Sequence, residues 1–132
     1  MDLSALFAPD RVAVVGATDR DGSVGRAVFE NLLDGFEGET VPVNPTRETV
    51  LGYRCLDHVA DVDADLAVVV VPASAVVDVI REAGEAGCEA AIVITAGFGE
   101  TGTEGAARER ELRDVAREYD LALVGPNCLG VI

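Results

Sequence analysis

Apolar residues along this 132-residue chain occur in two alternating patterns. In the first pattern, short runs rich in β-branched residues are almost continuously apolar, which is typical of strands buried on both faces of a parallel sheet. The runs that predict strands are Arg11 to Val15, Thr40 to Val43, Leu66 to Val71, Ala90 to Thr95 and Leu121 to Val124.

The second pattern is helical spacing in three of the segments between these runs. The apolar stripes consist of Val24, Val28, Leu32 and Phe36, then Val76, Val79, Ile80 and Ala83, and finally Leu112, Val115, Ala116 and Tyr119. On the last predicted helix, Glu109 precedes Arg113 by four positions, which favours an exposed ion pair. The stretch from Thr46 to Asp65 is irregular and predicts a loop with a short helical turn.

Strands that alternate with helices predict parallel crossovers. We therefore expect a single α/β domain built on a Rossmann-like, doubly wound, mainly parallel five-stranded sheet. Ligands of such sheets bind beyond the carboxyl ends of the strands.

Composition narrows the classes of partner. The net charge is −14, from 24 acidic and 10 basic residues, and every basic residue is Arg. Such a surface repels nucleic acid and anionic lipid, so neither is expected as a partner. The lack of Lys beside abundant Asp and Glu indicates a halophilic source.

Localisation and redox state follow from similar features. No apolar run approaches the roughly 20 residues that a membrane helix needs, and the first residues lack a secretory signal pattern, so a cytoplasmic location is expected. Three cysteines without a C-x-x-C pair predict reduced thiols rather than a disulfide framework or a metal site.

The loop after the first predicted strand, from Gly16 to Gly25, is a candidate phosphate site. It does not fit a dinucleotide fingerprint, because Thr18 and Asp21 stand where glycines are needed and the second strand ends in Asn44-Pro45 without an acidic residue. It does not fit a P-loop, which requires Lys. Two interpretations stay open at this point: a longer phosphate loop, or an ordinary strand-to-helix turn with Ser23 as helix N-cap.

The strand ends, considered together, resemble a known family. The segments that carry the resemblance are Leu6-Phe7-Ala8-Pro9, the first strand with Gly16-Ala17-Thr18, Gly22-Ser23-Val24-Gly25, Pro42-Val43-Asn44-Pro45, Leu51-Gly52, Val71-Pro72-Ala73, Ile94-Thr95-Ala96-Gly97-Phe98 and the closing run from Gly125 to Ile132. They resemble the coenzyme A-binding domain of the NDP-forming acyl-CoA synthetases, which include the succinyl-CoA synthetase α-subunit and the ADP-forming acetate–CoA ligases. The ADP-forming branch looks closer.

The resemblance implies coenzyme A (CoA) as the ligand and assigns parts of it to individual strand ends. The CoA phosphates would lie over the first loop, at Thr18, Ser23, Val24 and Gly25, and Gly16 and Ala17 of the same loop would also contact CoA. Adenine and ribose would contact Asn44, Pro45, Val71, Pro72 and Ala73. The pantetheine arm would pass Thr95, Ala96, Gly97 and Phe98 towards Asn127 and Cys128.

The chain departs from the family where a Lys usually follows Asn-Pro. Thr46 and Arg47 occur there instead, and we interpret Arg47 as the substitute phosphate partner. Arg20 is a second candidate cation, whereas Arg26 is interpreted as surface charge. The single histidine, His58, is interpreted as a surface residue and Cys128 as a lining residue rather than a nucleophile. No catalytic residue and no metal site are predicted.

These expectations define a function. Residues 1–132 would form one CoA-binding domain, the N-terminal part of a longer ADP-forming ligase, that presents the CoA thiol to an acyl phosphate and does not turn over alone. Expected partners are CoA and the remaining ligase domains or a β-subunit with an ATP-grasp domain, and a homo-oligomer is possible. The alternatives are a CoA-sensing regulatory module, as in protein acetyltransferase fusions, and an NAD(H)-binding redox sensor.

Overall fold

The computed structural model describes residues 8–94 and 103–125 of the chain. Within them, five parallel strands form one sheet: β1 (Arg11–Val15), β2 (Glu39–Val43), β5 (Leu66–Val69), β6 (Ala90–Val93) and β7 (Ala122–Val124). The helices are α1 (Val24–Gly35), α2 (Ala73–Glu85) and α3 (Thr103–Glu118). The predicted Rossmann-like α/β fold is confirmed.

The order of the strands in the sheet is β2-β1-β5-β6-β7. The chain runs from β1 outwards to β2, then returns to place β5 on the other side of β1 and continues through β6 to β7. The direction of winding therefore reverses between β1 and β5. In doubly wound sheets, the crevice at such a reversal is where ligands bind.

Alternate residues of the buried strands face opposite layers. On β1, Ala13 and Val15 join a core cluster that includes Ile80 of α2 and Leu112 of α3. On the other face, Val14 packs in a cluster with Phe29 of α1. The three central strands β1, β5 and β6 are buried on both sides, which explains their continuous apolar character.

Strand ends differ from their predicted bounds for a local reason. β5 stops at Val69 rather than Val71, although the Val70 amide still donates to the Val15 carbonyl oxygen at 2.8 Å. Pro72 has no amide hydrogen to continue the ladder and stands at the N-cap of α2. β6 ends at Val93 rather than at Thr95, which lies outside the described residues.

The irregular stretch contains more structure than its pattern predicts. Strands β3 (Thr49–Val50) and β4 (Tyr53–Arg54) form an antiparallel hairpin. At its turn, Leu51 and Gly52 have positive φ angles of 50° and 85°, as a type I′ turn requires. The predicted short helical turn is confirmed as a 3-10 turn at Val59–Asp61.

Helix α1 shows how a spacing of exactly four positions drifts around a helix. Val24, the first residue of the predicted stripe, is 53% exposed, whereas Phe29, outside the stripe, is completely buried. Four residues rotate a helix by about 400°, so each step moves the stripe about 40° away from the core.

The Glu109–Arg113 pair predicted on α3 is confirmed, with 3.0 Å between Oε1 and Nη2.

Candidate functional site

A cavity of about 480 Å³ opens at the carboxyl ends of β1, β2 and β5, where the winding reverses. Its position agrees with the general location of ligand sites in this architecture. The cavity is lined by Val15, Gly16, Thr18, Arg20, Val43, Asn44, Pro45, Thr46, Arg47, Asp57, His58, Val59, Val70, Val71, Pro72, Ala75, Val79 and Glu82.

Two glycines allow the backbone to approach itself closely beside the cavity. Gly16 has a φ of +94°, and a Cβ placed there would lie 2.0 Å from the carbonyl oxygen of Val70. A Cβ on Gly25 would lie 2.6 Å from the carbonyl oxygen of Gly16. The first turn of α1 therefore packs directly on the end of β1, which leaves the N-terminus of α1 next to the first loop.

The first loop is closed by polar contacts around Ser23. The Ser23 hydroxyl donates to the Arg20 carbonyl oxygen at 2.7 Å and accepts from the Arg26 amide at 3.2 Å. Ser23 is thus the N-cap of α1, as one of the two open interpretations required. The remaining amide groups of the first turn are unaffected by this cap, so the N-cap role is compatible with an anion above the helix N-terminus.

Asn44 connects the second strand end to the first loop. Its side-chain Nδ2 donates to the Ala17 carbonyl oxygen at 2.9 Å. Its Oδ1 accepts from both the amide and the hydroxyl of Thr46, at 2.9 and 2.8 Å. Below it, the Gly16 amide donates to the Val43 carbonyl oxygen at 2.9 Å. Asn44 therefore shapes the loop geometry on both sides of the crevice.

Two arginines of the first and second loops line the cavity. Arg47 Nη1 lies 2.6 Å from Asp19 Oδ1, so this ion pair crosses the outer edge of the crevice. The Arg20 side chain has no hydrogen-bond or ion-pair partner within residues 8–94 and 103–125. Arg20 and Arg47 are the cations that the cavity offers to an anionic ligand.

Arg26 serves the loop rather than the cavity. Its Nη1 donates to the Asp19 carbonyl oxygen at 2.8 Å and to Asp21 Oδ1 at 2.7 Å, and its Nε donates to Glu30 Oε1 at 3.0 Å. The hydrogen bond that Arg26 donates to Glu30 raises the pKa of Arg26, and desolvation opposes this increase. The interpretation of Arg26 as simple surface charge is refined, because it braces the first loop.

The wall opposite the first loop is largely apolar and ends in a small polar group. Val79 on α2 and Val59 of the 3-10 turn lie beside Glu82 and His58. Glu82 Oε1 accepts from the Ala60 amide at 3.2 Å and lies 3.6 Å from His58 Nδ1. His58 is exposed, as predicted, but it also borders the cavity.

The structure brings eight of the predicted ligand residues together around the cavity: Gly16, Thr18, Arg20, Asn44, Pro45, Arg47, Val71 and Pro72. Others lie next to it without lining it. The Ala17 side chain is buried in the core and offers only its backbone, and Ser23, Val24, Gly25 and Ala73 stand at the first residues of α1 and α2. Thr95, Ala96, Gly97, Phe98, Asn127 and Cys128 lie outside the described residues.

Sequence reasoning missed the α2 side of the cavity. Ala75, Val79 and Glu82 line it, and their spacing of four and three positions places them on one face of α2. That spacing was a usable signal, since the face of a helix that follows a strand end borders the same crevice. Asp57 and Val59 were missed because they follow the hairpin, whose return towards β2 depends on long-range contacts.

The Cys55 thiol near the site is buried, and the described residues form no metal-binding cluster. Burial raises the pKa of Cys55, and Arg47 partly offsets this increase. Among the residues that the structure describes, no three His, Cys, Asp or Glu side chains are grouped closely enough to hold a metal ion. No described helix is both long and apolar enough to cross a membrane.

A protein-family model and several curated relatives match nearly the whole chain. The CoA binding domain family matches residues 10–132. The chain is 46% identical over 132 residues to acetate–CoA ligase [ADP-forming] I of Archaeoglobus fulgidus, covering 98% of this chain and 19% of that protein. It is 43% identical over 131 residues to 4-hydroxybutyrate–CoA ligase [ADP-forming] of Nitrosopumilus maritimus, again covering 98% and 19%.

Solved structures agree with these relatives. The dinucleotide-forming acetyl-coenzyme A synthetase 1 of Ca. Korarchaeum cryptofilum, solved with phosphate and ADP, matches with a TM-score of 0.89 and 41% identity. The match covers 96% of this chain and 27% of that one. A protein of Pyrococcus horikoshii OT3 matches with a TM-score of 0.91 and 40% identity, covering 96% and 29%.

The relatives are much longer than this chain, which limits the comparison to one domain. The chain spans about a fifth of the length of the curated ligases it matches. These similarities lend no support to the regulatory-module, redox-sensor or halophile interpretations. The resemblance found in the strand ends is confirmed: the relatives that the chain matches are ADP-forming ligases, and the chain belongs to the CoA binding domain family.

Proposed function

We propose that this domain binds CoA in the cavity between β1 and β5 and supplies it to an ADP-forming acyl-CoA synthetase reaction. The observation that carries the proposal is the meeting of three strand ends at one crevice. Gly16 of the first loop lines a single cavity with Asn44 and Val71, which the resemblance assigned to adenine and ribose. A family match covering residues 10–132 supports the same ligand.

The two sides of the cavity suit different parts of CoA. The phosphates would lie near Thr18, the N-terminus of α1, Arg20 and Arg47, where backbone amides and guanidinium groups supply donors. Adenine and ribose would lie between Asn44-Pro45 and Val71-Pro72, beside the apolar wall. We keep the contact of pantetheine with Thr95 to Phe98, Asn127 and Cys128 as a proposal that follows from the family resemblance.

The proposed reaction is acyl transfer from an acyl phosphate to CoA. The thiol sulfur forms a bond to the acyl carbon, the bond from that carbon to the phosphate oxygen breaks, and the thiol proton ends on the released phosphate. Other ligase domains, or a partner subunit with an ATP-grasp domain, would form the acyl phosphate. We place this domain at the N-terminal part of such a ligase in the cytoplasm. The domain would not turn over substrate alone, and its assembly into a homo-oligomer is compatible with this role.

Calorimetric titration of the 132-residue chain with CoA, dephospho-CoA and NADH tests the proposal directly. We expect heat of binding from CoA, a weaker response from dephospho-CoA and none from NADH. Binding of NADH without binding of CoA would reject the CoA site in favour of the redox-sensor interpretation.

Arg47→Ala tests the cation that replaces the family Lys. Loss of one charge-assisted contact is worth about 1.5 to 3 kcal/mol, so the Kd for CoA should increase roughly 10-fold or more, and the Kd for dephospho-CoA much less. Arg113→Ala is the matched control, because Arg113 is an exposed Arg paired on α3 with Glu109. Equal losses of affinity for CoA and for dephospho-CoA would show that Arg47 does not contact the 3′-phosphate.

A further inference from the structure

The ion pair between Asp19 and Arg47 is not required to hold its two loops together. Closer to the sheet, the same loops are already joined by the hydrogen bonds from Gly16 to Val43 and from Asn44 to Ala17, both at 2.9 Å. The ion pair is the outermost contact, and both of its side chains are more than a third exposed. Exposed pairs of this kind contribute little to stability. Its contribution to ligand recognition is therefore separable from the fold.

Asp19 occupies only part of the Arg47 guanidinium. Nη1 carries the contact with Asp19, whereas Nε and Nη2 have no hydrogen-bond partner in the part of the chain that the structure describes. The edge formed by Nε and Nη2 matches two oxygens of a phosphate. Arg47 lines the cavity and Asp19 does not. A phosphate could therefore contact Arg47 while Asp19 stays in place.

We propose that Asp19 is a specificity-determining residue. Its carboxylate reduces the preference of this site for CoA, which carries a 3′-phosphate monoester, over ligands without that phosphate. The inference rests on the proposed function, since it takes CoA as the ligand and Arg47 as the partner of its 3′-phosphate. With Asp19 beside it, Arg47 belongs to an ion pair with no net charge. A phosphate dianion that approaches Arg47 meets the repulsion of a nearby carboxylate as well as the attraction of the guanidinium.

Asp19→Asn isolates the charge of this side chain. Asn keeps an oxygen that accepts from Arg47 Nη1, so the position of the guanidinium is retained while the negative charge is removed. Repulsion between one charge and a dianion about 8 Å away corresponds to roughly fivefold in affinity at low ionic strength. We expect the Kd for CoA to fall about fivefold at about 20 mM salt, and to change by less than about twofold at about 1 M salt, where the charges are screened.

Asp21→Asn is the matched control, because Asp21 lies in the same loop but pairs with Arg26 outside the cavity. Its Kd for CoA at about 20 mM salt should change less than that of Asp19→Asn, because Asp21 is not paired with an arginine that lines the cavity. In an Arg47→Ala background, where no guanidinium holds the phosphate beside Asp19, Asp19→Asn should give a smaller gain than in the wild type. Thermal melts establish that each variant is folded before titration with CoA and dephospho-CoA.

The outcomes separate the two proposals. If the wild type binds CoA and Asp19→Asn does not tighten it at low salt, or tightens dephospho-CoA equally, Asp19 does not act through the 3′-phosphate and this inference is wrong. A gain in the Arg47→Ala background as large as that in the wild type would also contradict it. If the folded wild type does not bind CoA, the proposed function fails and this inference falls with it.

Discussion

The crevice between β1 and β5 and the layer formed by α2 and α3 are held together in different ways. In the crevice, backbone approaches backbone at Gly16 and Gly25, and Asn44 joins the loops by hydrogen bonds. In the helical layer, buried apolar side chains such as Ile80 and Leu112 fill the space against the sheet. The crevice should therefore be sensitive to added atoms and lost hydrogen bonds, and the layer to removed atoms.

Gly16→Ala should have the largest effect, because it adds an atom where the crevice has no room. A Cβ there would lie 2.0 Å from the Val70 carbonyl oxygen, at a φ of +94° that only glycine adopts freely. Strain and overpacking together predict a loss of about 4 kcal/mol or more, measured by urea unfolding. Gly22→Ala is the matched control. It has a φ of +78° but no atom within 4 Å, so we expect a loss of about 1 to 2 kcal/mol. Equal losses would show that packing at Gly16 is unimportant.

Leu112→Ala tests the layer formed by α2 and α3, where removed atoms should matter most. Leu112 is completely buried in the helical layer, so truncation should cost about 2 to 5 kcal/mol through lost contacts and a residual cavity. The folded fraction should bind CoA with unchanged affinity, because this residue is not part of the cavity lining. Urea unfolding and calorimetry on the same sample measure both quantities. A clear loss of CoA affinity in the folded protein would contradict the separation of layer and crevice.

Cys55 and Cys88, the two thiols that the structure describes, should contribute differently to the pH dependence of stability at alkaline pH. Burial, followed by Asp65 and Asp63, raises the pKa of Cys88 in the layer from 9.0 to about 11. Because the folded state holds this proton more tightly than the unfolded state, stability is fully present below about pH 9 and falls as the pH rises towards 11. The decrease should reach about 2 to 3 kcal/mol.

Urea unfolding of the wild type and of Cys88→Ala between pH 7 and 10.5 measures this contribution by difference. The variant should lose the part of the pH dependence that belongs to Cys88. Cys55→Ala should change the pH dependence less, because Arg47 lowers the pKa of Cys55 against the effect of burial. A larger change for Cys55 than for Cys88 would reverse this comparison.

Asn44→Ala should have the smallest effect on stability and a larger one on binding. It removes one donor to Ala17 and the acceptor of two contacts from Thr46, in a half-buried position, at a cost of about 1 to 2 kcal/mol. CoA affinity should fall roughly 10-fold because both loops lose their alignment. Calorimetry at a temperature where the variant is folded measures the loss. Thr49→Ala is an exposed control on the hairpin. Unchanged affinity in Asn44→Ala would show that the loops hold their geometry without this side chain.

Local pattern was enough to predict the main elements, and the family was predicted from the resemblance of the strand ends to known sequences. Continuous apolar runs such as Leu66 to Val69 have no other stable place than a sheet covered on both faces. The hairpin was missed because Thr49–Val50 and Tyr53–Arg54 are too short to show a period of two. The burial of Phe29 instead of Val24 was missed because a fixed spacing of four does not follow the helical repeat.

The glycines and the strand ends can be recognised in the linear chain, because each depends on neighbours within a few positions. The proposed role of Arg47 in place of Lys rests on the resemblance to the family. The grouping of Gly16, Asn44 and Val71 around one cavity depends on the strand order β2-β1-β5, which no local pattern encodes. The same holds for the pairing of Asp19 with Arg47 and of His58 with Glu82, whose partners are separated along the chain. Such contacts arise only when packing of the sheet and helices brings distant loops to the same edge.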